Sequence, residues 1–206
     1  MPDAEPREEE HKQPEHDVPV SDVVSDEVAA ALLARFEGAV FHESHGQPVV
    51  YIDRASWAVA AAFLRDDEQF TTCLDVTAVD HLTDETRLDV PGVTPERFEV
   101  VANFLSHLRN RRIRLITEVP ESDATVPSLV ATYPGVDFAE RETFDLYGIG
   151  FDGHPDMTRI LMPDDWVGHP LRKDDSPARV PVTDAEIDVF EAWFGDLFDE
   201  LFGPSR

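Results

Sequence analysis

The chain reads as an α+β protein. It has a sheet with packed helices, then an extended, loop-rich C-terminal segment and a terminal amphipathic helix. Three observations predict this. Apolar residues recur at helical spacing in two early stretches: Val28, Ala29, Ala31, Leu32, Phe36, and then Trp57, Ala60, Ala61, Leu64. Two later runs alternate with the period of a strand: Phe98, Val100, Ala102, Phe104, and Ile113, Leu115, Thr117, Val119. From residue 149 to 175, glycine, proline and histidine interrupt the chain too often for either period to persist.

Taken in order, residues 1–24 are rich in acids and prolines and have little to bury, so they predict a disordered acidic tail. An α+β domain is expected over residues 25–148. Ser25 is the candidate cap of its first helix, and Gly38 stops that helix. Residues 39–43 and 48–52 flank His45-Gly46, a hairpin pattern. Asp53 is the candidate cap of the second helix, and residues 69–82 read as a strand with β-branched residues. Residues 84–95 form a polar loop. The runs at 97–108 and 113–119, joined through Arg109-Asn110-Arg111, predict a long hairpin; a helix remains open for the first of them, since Val101, Leu105 and Leu108 also satisfy that period.

Pro127-Ser128 opens an expected short helix ending at Pro134-Gly135. A charged helix then runs to Tyr147 and is stopped by Gly148. Residues 149–182 are expected to be extended and to wrap a partner. Residues 183–206 hold an acidic amphipathic helix, with Thr183 and Glu186 as a capping box and Ile187, Phe190, Phe194, Leu197 and Leu201 along one face.

Composition narrows the function. With 206 residues and 42% apolar content, one well-cored domain is feasible. There are 43 acids against 17 bases, a formal charge of −26, which argues against sequence-independent binding of nucleic acid and against docking on anionic lipid by charge. Lys12 and Lys173 are the only lysines. Such a surface suits a high-salt cytoplasm, or simply an acidic proteome. Cys73 is the only cysteine, so an intramolecular disulfide is excluded, as is a cysteine cluster holding iron–sulfur or structural zinc. The polar N-terminus is unlike a secretory signal, and no apolar run is long enough to span a bilayer. A partner is expected to provide any membrane attachment.

The stretch with the most chemistry is Glu140-Arg141-Glu142-Thr143-Phe144-Asp145-Leu146-Tyr147-Gly148, followed by two Gly-His-Pro triplets at 153–155 and 168–170. Pro155 and Pro170 push His154 and His169 toward extended backbone, so each triplet presents an imidazole from a stiff turn. Three readings stand. The imidazoles bond carbonyls and fix the loop, they face a partner, or they join nearby aspartates on a metal. Carboxylates interleaved with aromatics on the helix point to burial between partners, to a solvated face, or to acid–base chemistry. The arginines at 109–114 are read as a solvated turn or as a contact for an acidic protein surface.

The ordered run from Glu140 through Phe151, Gly153-His154-Pro155, Arg159-Ile160-Leu161-Met162 and Gly168-His169-Pro170-Leu171-Arg172-Lys173-Asp174 resembles the 30 kDa subunit family, the C subunits, of respiratory complex I, the proton-pumping NADH-quinone oxidoreductase. Glu96-Arg97-Phe98-Glu99-Val100-Val101, Arg112-Ile113-Arg114 and Val126-Pro127-Ser128 strengthen the likeness. The resemblance covers residues 75–175 closely, and neither terminus. It implies a peripheral-arm subunit without a redox centre, on the cytoplasmic side of the cell membrane. Its partners would be the quinone-site subunit related to hydrogenase large subunits and the subunit holding the terminal iron–sulfur cluster. NADH, FMN, iron–sulfur clusters and quinone would belong to the complex, with no catalytic, cofactor or metal residue in this chain.

On that reading Glu140, Arg141, Glu142, Asp145, Gly148, His154, Pro155, Arg159, His169, Pro170, Arg172, Lys173 and Asp174 fix the loop and meet partners. Arg141 and Arg172 are expected to be largely solvated in the free chain and to pair on docking. Alternatives are the same module in a membrane-bound hydrogenase or deazaflavin-linked dehydrogenase complex, a free-standing metal hydrolase using His154 and His169, and a soluble assembly protein.

Overall fold

The computed structural model describes residues 26–175. The expected N-terminal tail, Ser25 and the terminal helix lie outside these residues. Five strands form one mixed sheet in the order β1 (Val40–Ser44), β2 (Gln47–Tyr51), β5 (Arg111–Val119), β4 (Phe98–Ser106), β3 (Thr72–Asp80), and two short strands form a second.

Helix α1 (Glu27–Arg35) is capped by Asp26, not by the expected Ser25. The Asp26 carboxylate accepts from the Val28 and Ala29 amides, both at 2.9 Å. Strands β1 (Val40–Ser44) and β2 (Gln47–Tyr51) form the predicted hairpin. His45 and Gly46 take φ of 51° and 73°, the double left-handed turn whose twist matches flanking strands. Asp53 makes no side-chain cap; a 3-10 turn at Arg54–Ser56 leads instead into α2 (Trp57–Asp66).

β3 (Thr72–Asp80) is shorter than the expected run, because Gln69 at φ 60° and the Phe70 amide bond to the Leu64 carbonyl are spent leaving α2. β4 (Phe98–Ser106) and β5 (Arg111–Val119) form the long hairpin, so the helical alternative for the first run is discarded. Both neighbours of β4 are antiparallel, whereas β2 joins β5 in parallel at Val49–Tyr51. A bulge in β3 between Cys73 and Asp75 breaks the register, and Leu74 there is half exposed.

One face of the sheet carries Val50, Val76, Ala78, Val100, Ala102, Phe104, Ile113 and Leu115. These pack in a single cluster with Leu32 of α1 and with Trp57 and Leu64 of α2. A fully buried Leu or Phe here contributes about 1.5–3 kcal/mol. The other face is thinner, with Val49, Val101 and Ile116 as its buried apolar residues.

The short helix expected after Pro127 is absent. Thr125–Pro127 forms β6, parallel to β7 (Gly150–Asp152), and residues 128–133 make turns. The setting is tertiary: the Ser128 amide donates to the Asp152 carbonyl and the Leu129 amide to the Glu140 carboxylate, which ties this segment to β7 and to the following helix, and a single turn closed by the Tyr133 amide on the Leu129 carbonyl is all that forms before Pro134. A 3-10 turn at Pro134–Val136 opens α3 (Asp137–Tyr147), which ends at Gly148 with φ 71°.

Candidate functional site

Two of the carboxylates of α3 do not lie on a solvated face. Glu140 and Asp145 are fully buried within this chain, although Phe138 is exposed. Each serves as a fixed acceptor. Glu140 takes hydrogen bonds from the Ser128 hydroxyl and the Leu129 amide, both at 2.6 Å, and ties α3 to the segment after β6. Burial pushes its carboxyl above the usual range, against those two bonds.

Asp145 organises the following segment. The Ile160, Leu161 and Met162 amides converge on one of its oxygens at 3.0, 2.7 and 2.9 Å, and Arg159 donates to the other at 2.7 Å. Burial acts to raise its pKa, but the three amides and the guanidinium outweigh it and hold the carboxyl down at about 2. Three successive amides aimed at one oxygen form a concave anion seat. Arg159-Ile160-Leu161-Met162 is therefore wrapped around a side chain of its own domain, not extended as a free strand.

Both histidines bond carbonyls. The Asp156 amide donates to His154 Nδ1, which leaves Nε2–H to donate to the Asp137 carbonyl at 3.3 Å. His169 Nδ1 lies 3.0 Å from the Asp145 carbonyl and its ring meets Phe144 edge-on. The two imidazoles therefore bond opposite ends of α3, eight residues or about 12 Å of helix rise apart. The structure does not bring them together as a ligand pair. Among the described residues no cluster of three or more His, Cys, Asp or Glu is arranged to hold a metal ion.

Arg141 departs from the expectation. It donates to the Thr158 carbonyl and hydroxyl at 3.0 and 2.8 Å, and only 16% of its side chain is exposed, so it is already engaged in the free chain. Arg172, with 19% exposed, stacks on the Phe98 ring and pairs with Asp174 and Glu121. The expected solvation of both fails for one reason: the segment folds back on its own domain. Glu142 and Pro155 are exposed, and Pro170 is half-buried. Lys173 is exposed, but its amide donates to Asp80 at 2.9 Å.

Two residues central to this arrangement were not among the expected site residues, although Arg97 lies in the family-like run Glu96–Val101. Arg97, 7% exposed, pairs with Asp80, Glu121 and Asp174, which clamps the far end of the segment onto the start of β4. Asp80, with 1% of its side chain exposed, also takes amides from Leu82 and Lys173. The pairing Asp80↔Phe98 sets Asp80 beside Arg97, but Asp174 is 77 residues further on than Arg97, beyond any local pattern. A charge at the end of each of two predicted neighbouring strands was the available signal.

The fold and site thus define a small α+β module whose third helix and sheet end fix the path of a Gly-His-Pro-punctuated strap. Residues 50–180 match the family model described as the respiratory-chain NADH dehydrogenase 30 Kd subunit. The NADH-quinone oxidoreductase C subunits of Mycobacterium sp. strain KMS and of Nocardioides sp. strain JS614 are 42% and 44% identical to this chain over 166 and 168 residues. These matches span 76% and 78% of this chain, and 68% and 63% of those relatives. The chain belongs to the respiratory-chain NADH dehydrogenase 30 Kd subunit family.

Two solved structures agree in fold. The trypsin-resistant fragment of Nqo5 superposes with a TM-score of 0.54 at 29% identity, over 62% of this chain and 96% of the fragment. A chain of the membrane-bound sulfane sulfur reductase, an archaeal respiratory membrane complex, reaches 0.56 at 21% identity over 81% and 89%; at that identity the likeness concerns the fold alone.

Proposed function

We propose that this chain is a non-catalytic peripheral subunit of a proton-pumping NADH-quinone oxidoreductase. It docks on the quinone-site subunit related to hydrogenase large subunits and steadies it beside the terminal-cluster subunit. Flavin, iron–sulfur clusters and quinone then belong to partners. Among the described residues no helix is long and apolar enough to cross a membrane. On this reading the partners hold the chain at the cytoplasmic face.

The observation that carries the proposal is the strap. It is tied from beneath by Asp145, Arg159, His169 and Arg97. Its outer side shows Leu161, Trp166, Val167 and Leu171, with Val167 93% exposed. A backbone held this firmly while showing apolar side chains outward is what a partner surface reads. Glu140, Asp145, Gly148, His154, Arg159 and His169 shape the strap; Glu142, Pro155 and Lys173 meet the partner.

Val167→Asp tests this. An exposed substitution should change the melting of the free chain by about 0.5 kcal/mol or less. Native gels of gently solubilised membranes should show several-fold less assembled complex, with NADH-quinone turnover falling in proportion. Normal assembly would refute the docking role. Normal assembly with lost turnover would put the strap in the catalytic path.

The fold shared with a chain of the sulfane sulfur reductase complex favours one second reading, membership in a related respiratory machine. NADH oxidation by the purified complex separates the two.

A further inference from the structure

An uncompensated basic patch stands out on a chain of formal charge −26. At the β4–β5 hairpin, Arg109 pairs with Glu27 and Glu68, and Arg111 pairs with Asp26 and Glu27. These contacts hold the start of α1 against the hairpin. Arg112 and Arg114 alternate with them and point to the thinner face of the sheet. The Arg112 side chain is exposed and bonds no described residue, and the Arg114 side chain has only the neutral Asn103 side chain, at 3.1 Å. Both line a cleft of about 280 Å³ with Gln47, Asn103, Asp75 and the half-exposed Leu74 at the β3 bulge. Asp75 is the one acid there, and it lies beyond ion-pair distance of both arginines.

The chain that enters at Asp26 has the complementary composition. Residues 15–24 read Glu-His-Asp-Val-Pro-Val-Ser-Asp-Val-Val, acids interleaved with valines. Asp26 is already on Arg111, on the helix-covered side of the sheet, and Arg114 is about 10 Å further along the strand on the other side, so the chain before Asp26 must turn round the hairpin end to reach it. Asp17 lies nine residues before Asp26, a reach of up to about 30 Å. The other acidic stretch, after Asp175, leaves from the opposite end of β4, where Asp174 pairs with Arg97. Attachment at Asp26 also gives the tail a high effective concentration over the cleft.

We propose that the acidic tail preceding Asp26 docks in this cleft, its carboxylates on Arg112 and Arg114 and its valines against Leu74. Docked there, it competes with other acidic surfaces for this patch. This inference is independent of the membership of any complex.

The test is binding of fluorescein-labelled poly-glutamate to the full-length chain at low salt, read by anisotropy. Neutralising the tail with Glu15→Gln, Asp17→Asn and Asp22→Asn should tighten binding at least several-fold, because the competitor is removed. Adding Arg112→Gln and Arg114→Gln to that variant should abolish the gain. Equal affinity of the wild-type and tail-neutralised chains would overturn the proposal and leave the patch open to an acidic partner. A gain that survives loss of both arginines would overturn it too, by placing the tail elsewhere. The tail substitutions leave every described residue unchanged, so their outcome does not depend on how the arginine variants fold.

Discussion

Gly148 and His169 occupy each other's space. A Cβ at Gly148 would lie 2.6 Å from the His169 ring, and Gly148 already sits at φ 71°. The helix stop and the strap's second histidine are therefore one feature. Gly148→Ala should cost about 1–2 kcal/mol from the left-handed backbone alone, plus whatever is lost as His169 leaves the Asp145 carbonyl. Urea unfolding measures the first. Limited trypsin digestion at Arg159 and Arg172 reports the second, and should be faster in the variant.

Asp145 predicts an acid limb. Its folded pKa, about 2, lies below the ordinary value, so its contribution is full above pH ~4 and is lost as pH falls toward 2. Asp145→Asn should remove that part of the pH dependence. It should also cost about 3–5 kcal/mol at neutral pH, because Arg159 and three amides lose a charged acceptor. Denaturant melts between pH 2 and 7 give both numbers.

Glu140 predicts the opposite limb from the same helix. Burial raises its folded pKa, so its contribution is full below pH ~4.5 and is lost as pH rises through the folded value. Glu140→Gln keeps an acceptor without the charge. Its stability should depend less on pH than that of the parent above pH ~4.5. An unchanged slope would show that the carboxyl ionises in place at little cost.

Arg97 is the clamp. Arg97→Met leaves the buried Asp80 carboxylate without a counter-charge and takes away one of the two arginines on Asp174, so a loss of about 3–5 kcal/mol is expected. Glu27→Gln, at a carboxylate 70% exposed, removes an ion pair worth about 0–1 kcal/mol. The contrast in unfolding free energy checks whether burial, and not the count of ion pairs, sets the cost.

Local patterns carried much of the fold. The alternation from Phe98 to Phe104 and from Ile113 to Val119, the His45-Gly46 turn and the Gly148 stop each require only neighbours a few residues away, and each appears in the structure. Loop-fixing imidazoles were one of three readings that the two Gly-His-Pro units left open, and choosing among them needed the Asp137 and Asp145 carbonyls.

Partners distant in sequence were not legible. Ser128 and Leu129 bond to Glu140 and Asp152, Asp145 collects the amides of residues 160–162, and Arg97 reaches Asp174. Periodicity tells which side chains leave water, because a buried apolar face needs a regular spacing in its own element. It does not tell where a buried charge finds its counter-charge. That depends on which strand ends and turns the sheet order brings together, and only the tertiary structure decides it.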